Sequence, residues 1–121
     1  MYTVNTPIQY ALAEYLEKYS TLSQLSDFFQ GKRDVFAEML KGTGFKLLPA
    51  NGTYFQCVDY SNISQERDTV FAEQLTKQYG VASIPISVFY HDRIDNHVLR
   101  FCFAKNNKIL EKAAKKLKKV Q

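Results

Sequence analysis

Apolar residues recur along this chain at two different spacings, and the change from one to the other marks the elements. From Val98 to Lys105 the spacing is two: Leu99, Phe101 and Phe103 fall on one face of a strand, Val98, Arg100 and Cys102 on the other. The β-branched and aromatic content supports the same reading. Elsewhere the spacing is helical. Thr6-Pro7-Ile8-Gln9 supplies an N-cap, a proline at the first helical position and a glutamine placed to close a capping box. A helix to about Tyr19 follows, with Ile8, Ala11, Leu12, Tyr15 and Leu16 on one side. Thr21-Leu22-Ser23-Gln24 repeats the capping pattern and opens a longer helix with Leu22, Leu25, Phe28, Phe29, Phe36, Met39 and Leu40 in one stripe, stopped by Gly42 and Gly44. Gly31, which weakens that helix by about 1 kcal/mol relative to alanine, marks a bend or a close approach. Lys32 and Arg33 read as solvated face residues.

Phe45 to Leu48 and Thr53 to Asp59 predict a hairpin, with Asn51-Gly52 supplying positive φ in the turn. On its second strand Tyr54, Gln56 and Val58 share one face, and Phe55 and Cys57 the other. A helix over 65–79, with Val70, Phe71 and Leu75 inward, stops at Gly80. Val81 to Ile84 is a third strand ended by Pro85, and 87–96 is an irregular loop. Asn106 or Asn107 caps a last helix with Ile109, Leu110, Ala113, Ala114, Leu117 and Val120 inward, and Lys108, Lys112, Lys115, Lys116 and Lys119 on a solvated face. The expected class is α+β: two helices, then a small, mostly antiparallel sheet covered by helices. The first helix has no obvious place in that layer and is suited to dock on something else.

At 121 residues the chain is one domain at most, and 45% hydrophobic with 23% charged residues is ordinary globular composition. The net charge of +4 resides mostly in the last helix, whose basic residues do not alternate with aromatic ones, so nucleic acid is not an expected partner. Cys57 and Cys102 read as buried reduced thiols of a cytoplasmic protein, and His91 and His97 lack partners at metal-ligand spacing. No apolar run has the length of a membrane span, and no basic stretch followed by an apolar one opens the chain, which is read as soluble and unexported.

Arg100 carries the chemistry. A guanidinium in the middle of an apolar strand is costly to desolvate and needs an anion or a wet cleft. Its flat, permanently charged fork matches a carboxylate through two parallel hydrogen bonds, so a small-molecule carboxylate is one candidate partner. A structural ion pair with an acid such as Asp59, or a packed stem with the head in water, is the other reading.

Five strings in register point to a family: Thr6-Pro7-Ile8-Gln9-Tyr10-Ala11-Leu12-Ala13, Lys32-Arg33-Asp34, Gly52-Thr53-Tyr54-Phe55, Gly80 through Phe89, and Leu99 through Lys105. Together they resemble the C-terminal part of the pyridoxal-phosphate aminotransferases of the aspartate aminotransferase fold, closest to the kynurenine and methionine aminotransferase branch. The resemblance implies a helical segment, 1–20, that docks on a large domain outside this chain, and a small domain over 21–121. It implies that Arg100 grips the substrate carboxylate and that Tyr54, rather than Phe55, borders the substrate side chain. The implied substrates are a methionine-, glutamine- or aromatic-type amino acid and a 2-oxo acid, and the implied assembly is a homodimer. The Schiff-base lysine, the aspartate for the pyridine nitrogen and the phosphate cup lie upstream in the family, so no cofactor residue transfers to this chain and transamination by it alone is not expected. A stand-alone module that senses an amino acid or keto acid through Arg100 is the competing reading.

Overall fold

The computed structural model describes residues 4–18 and 22–120. Helix α1 spans Thr6–Lys18 and α2 Leu22–Leu40; β1 is Lys46–Leu47 and β2 Phe55–Asp59. Helix α3, Asp68–Gln74, runs on as a π-helical turn over Leu75–Tyr79; β3 is Ile84–Pro85, a 3₁₀ turn covers Ser87–Phe89, β4 is Val98–Cys102 and α4 is Asn107–Leu117. Thr21 and Tyr19, with which the sequence opens α2 and closes α1, lie outside the described residues.

The four strands form one antiparallel sheet in the order β1-β2-β4-β3. Strand β4 therefore enters between β2 and β3, which α3 connects. Alternation then sorts the side chains by face. Gln56, Val58, Leu99 and Phe101 are buried on one face. There Phe36 of α2 meets Phe101 at 6.3 Å between ring centroids, and Phe45 meets Phe101 and Phe71 at 6.0 and 6.4 Å. Leu110, Ala114 and Leu117 of α4 complete the core. Each large aliphatic side chain buried there stabilises the fold by about 1.5–3 kcal/mol. The opposite face, with Phe55, Cys57, Arg100 and Cys102, is only half-buried.

Several local expectations are corrected. The helix expected over 65–79 begins at Asp68 and tightens only to Gln74 before the π turn, which Gly80 closes at φ 61°. The strand expected over Val81 to Ile84 is reduced to Ile84–Pro85, so the proline is inside the strand, at the sheet edge where its missing N–H costs nothing. In the hairpin the positive φ falls on Thr53 (67°), not on Asn51-Gly52. Gly31 lies within the continuous helix α2 with nothing within 4 Å of the position a Cβ would take, so it does not mark a close approach. In α1 the Gln9 amide donates to the Val4 carbonyl (3.0 Å) instead of closing a capping box on Thr6. Val70 and Ile109, expected inward, are exposed, as are Leu25 and Phe28 of the α2 stripe. Every described side chain of α1 is exposed, including Ile8, Leu12, Tyr15 and Leu16.

Of the two asparagines that could cap α4, Asn106 does so, its Oδ1 accepting the Ile109 N–H at 2.9 Å. Lys32 and Arg33 are not merely solvated. Lys32 Nζ donates to the Lys105 carbonyl at 2.9 Å, and an Arg33 Nη to the Ala50 carbonyl at 2.8 Å, tying α2 to two loops.

Candidate functional site

Arg100 sits at the centre of β4, opposite Cys57 on β2 and Ile84 on β3. Because Leu99 and Phe101 turn into the core, the guanidinium is delivered to the half-buried face. There its Cζ lies 4.0 Å from the centroid of the Phe55 ring and 4.9 Å from that of Phe89. The cation thus makes two aromatic contacts, each contributing about 0.5–1 kcal/mol.

No carboxylate among the described residues forms an ion pair with it. Asp59, the structural partner the sequence offers, instead accepts the Ser61 N–H at 2.8 Å, and hydrogen bonding from Ser61, its side chain first and then its N–H, holds the carboxyl below the usual carboxylate range. Arg100 Nε is shielded from solvent and has no hydrogen-bond partner among the described residues. The structural ion pair is therefore not made.

Arg100 lines a groove of about 600 Å³ between β4, the 80–84 segment and α4. Its floor is apolar, from Phe36, Phe55, Val81, Ile84, Ala113 and Leu117, and Lys105, Lys112 and Lys116 stand at its polar edge. Ser83 Oγ, also shielded and without a partner among the described residues, lines the same groove. No aspartate or glutamate among the described residues does. An apolar cleft edged by cations without counter-charges favours an anion with a hydrocarbon body.

Tyr54 stands one ring further out. Its centroid is 4.4 Å from that of Phe55 and 6.3 Å from that of Phe29, and it lines a separate groove of about 300 Å³ with Arg33, Asn51 and Phe103. Phe55 contacts both the Tyr54 ring and the guanidinium, and Phe89 contacts the guanidinium, whereas Tyr54 itself does not touch it. Phe89 could not be placed from the sequence, because it comes from the 3₁₀ turn in a segment without periodicity.

A second missed group lies behind that turn. Asp68 is 1% exposed; its Oδ2 accepts the Ser87 N–H and its Oδ1 the Ser87 hydroxyl, both at 2.7 Å. The Asp68 N–H in turn donates to Asp95 Oδ2 (2.8 Å), and Asp95 Oδ1 accepts the His97 N–H (2.7 Å). Beside them Tyr60, fully buried, donates its hydroxyl to the Glu66 carbonyl at 2.8 Å. Burial first, then the Asp95 and Asp68 charges, push its pKa well above the ordinary phenol value. The only signal for Asp68 in the sequence is an acid at the head of an apolar-periodic helix, which reads equally as a helix-terminal charge.

Cys57 and Cys102 are free and half-buried; burial raises the Cys57 thiol pKa, against the pull of Arg100 across the strand pair. No cluster of three or more metal-ligating side chains occurs among the described residues, and no described helix is long and apolar enough to cross a membrane.

The sequence profile of the family aminotransferase class I and II matches residues 1–117. The methionine aminotransferase of Escherichia coli is 42% identical over 123 residues, covering 98% of this chain and 31% of that protein. The kynurenine–oxoglutarate transaminase of Dictyostelium discoideum is 32% identical, over 99% of this chain and 33% of its own length. The crystal structure of the E. coli protein with a methionine aminotransferase function superposes with a TM-score of 0.87 at 42% identity, over 96% of this chain and 31% of that one. N-succinyldiaminopimelate aminotransferase of Mycobacterium tuberculosis gives 0.86 at 32% identity, over 98% and 32%. The chain spans about a third of the length of the relatives it matches.

Proposed function

Because the chain belongs to the class I and II aminotransferase family, whose small-domain α+β fold it has, we propose that it acts as the small domain of a longer pyridoxal-phosphate-dependent aminotransferase. In that enzyme Arg100 binds the carboxylate shared by the amino acid and the 2-oxo acid, the substrate being of methionine, glutamine or aromatic type. One observation carries this: a guanidinium in contact with two aromatic rings and without a counter-anion among the described residues, on a residue that lines a groove to which no described acid contributes. Two ring contacts restrict the fork before substrate arrives, so less rotational freedom is lost when a planar carboxylate meets it. Tyr54, packed against Phe55, borders the substrate side chain in this reading. Residues 1–20 dock on the large domain, to which the exposed apolar side chains Ile8, Leu12 and Leu16 are suited, and the whole enzyme is a homodimer.

The cofactor itself does not fit the residues present. Pyridoxal phosphate needs an imine-forming amine, an acid at its pyridine nitrogen and a set of phosphate donors. The groove offers lysines but no acid, so this chain's part is substrate binding and the cofactor's ligands belong to the rest of the enzyme.

The test is an exchange. Replacing the matching third of the E. coli methionine aminotransferase with this chain should give a cofactor-loaded protein that transaminates methionine. The 121-residue chain mixed with pyridoxal phosphate should not turn over. A folded, cofactor-loaded chimera without activity would sink the proposal, as would turnover by the chain alone above a boiled control.

A further inference from the structure

We propose that Asp68 is a positioning residue for the Arg100 fork, acting through Ser87 and Phe89; the inference rests on the carboxylate-binding reading of Arg100. Of the two rings that hold the guanidinium, Phe55 belongs to β2, hydrogen-bonded along its length to β4. Phe89 is held differently. It is 60% exposed, so its own packing does little to place it over Arg100. Its position follows from the backbone of the Ser87–Phe89 turn, which is closed by short-range bonds from Phe89 N–H to the Ile86 carbonyl and from Tyr90 N–H to the Ser87 carbonyl, both 3.1 Å. The turn's deepest attachment is Ser87.

Ser87 is 3% exposed and gives both its backbone N–H and its hydroxyl to the two oxygens of Asp68, itself 1% exposed. Two charge-assisted bonds to one buried carboxylate fix the orientation as well as the distance of the turn, without competition from water. Asp68 is in turn anchored in the first turn of α3, with its N–H on Asp95. Ile86 N–H to the Val98 carbonyl (3.2 Å) and an Arg93 Nη to the Val88 carbonyl (2.9 Å) also hold the segment, but neither bond reaches from the helix layer. Asp68 thus links α3 to the ring that lies on the guanidinium. Removing it frees the turn, lets Phe89 leave Arg100 and returns rotational freedom to the fork.

The experiment uses the 121-residue chain and two readouts. Protons of a guanidinium lying over aromatic rings resonate upfield, and Phe89→Ala calibrates the share that ring contributes. Asp68→Ala should abolish the same share, and the double variant should show no further change. Ser87→Ala, which keeps the backbone bond, should lose part of the shift, and Ser87→Thr should restore it. The second readout is the affinity for 2-oxoglutarate, expected to weaken about two- to fivefold in Asp68→Ala and equally in Phe89→Ala, the equivalent of one ring contact. An unchanged Arg100 shift in a folded Asp68→Ala or Ser87→Ala protein overturns the positioning role, as does a double variant whose effects simply add. Arg100→Ala with undiminished 2-oxoglutarate affinity overturns the carboxylate reading instead. Loss of affinity in Arg100→Ala together with a normal Asp68→Ala variant overturns this inference alone.

Discussion

Replacing Arg100 by lysine in the chimeric enzyme keeps the charge and removes the fork. In the structure the side chain has two neighbours that matter, the Phe55 and Phe89 rings at 4.0 and 4.9 Å, and no acid. A lysine ammonium can keep part of one ring contact, so the stability cost should be about 1 kcal/mol or less. The effect on substrate is larger. A planar carboxylate loses one of two charge-assisted hydrogen bonds, roughly 1.5–3 kcal/mol, or about one to two powers of ten in kcat/KM. Cofactor affinity should be almost unchanged, since the proposed reading assigns the cofactor's ligands to the rest of the enzyme. The assay is steady-state transamination of methionine beside thermal melting and a cofactor titration of the same preparations. A variant that melts several degrees lower yet retains a normal kcat/KM would mean that Arg100 is a structural cation, and the argument from its acid-free setting would be wrong.

Tyr60 predicts an alkaline limit to stability. Its folded pKa lies above the ordinary phenol value of about 10, so above that pH the unfolded chain has lost a proton the folded one keeps, and stability should fall as pH rises. Tyr60→Phe should lower stability near neutrality by about 1–2 kcal/mol through the orphaned Glu66 carbonyl and flatten the alkaline slope; equal slopes in both proteins would refute the assignment. A Cβ on Gly44 would come within 2.6 Å of Ile63 Cγ1, so Gly44→Ala should cost about 1–3 kcal/mol in urea denaturation, and Ile63→Ala in the same chain should give no additional loss. If the two effects add instead, the close contact is not the cause. Exposed Ile8, Leu12 and Leu16 predict concentration-dependent self-association of the chain and fast amide exchange over Ala11 to Leu16. A sharp monomer by sedimentation, with those amides protected like the sheet, would count against α1 as a docking segment.

Strand alternation was enough to place Leu99, Phe101 and Phe103 in the core and Arg100 on the other face, because a period of two leaves no third choice. The α4 cap at Asn106 and the stop at Gly80 were equally local, each set by its own backbone and nearest turn. Family membership, too, was readable in five short strings, and the matched profile agrees with it. Periodicity fails where a face has two possible environments. The α2 stripe is continuous in sequence, yet Phe36 is buried and Phe28 exposed, because only part of the helix lies over the sheet. Ile109 is exposed for a related reason, standing beside the groove that Arg100 lines. What meets what across the fold was decided by the return path of the chain. Lys32 finds the Lys105 carbonyl 73 residues away, and Asp68 finds Ser87 across 19, and neither spacing leaves a mark in sequence. The sequence alone left Arg100 with two partners, a ligand carboxylate or Asp59. Tertiary structure turned Asp59 to Ser61 and brought Phe55 and Phe89 to the guanidinium, because β4 inserts between β2 and β3 and sets the Arg100 side chain beside rings rather than acids.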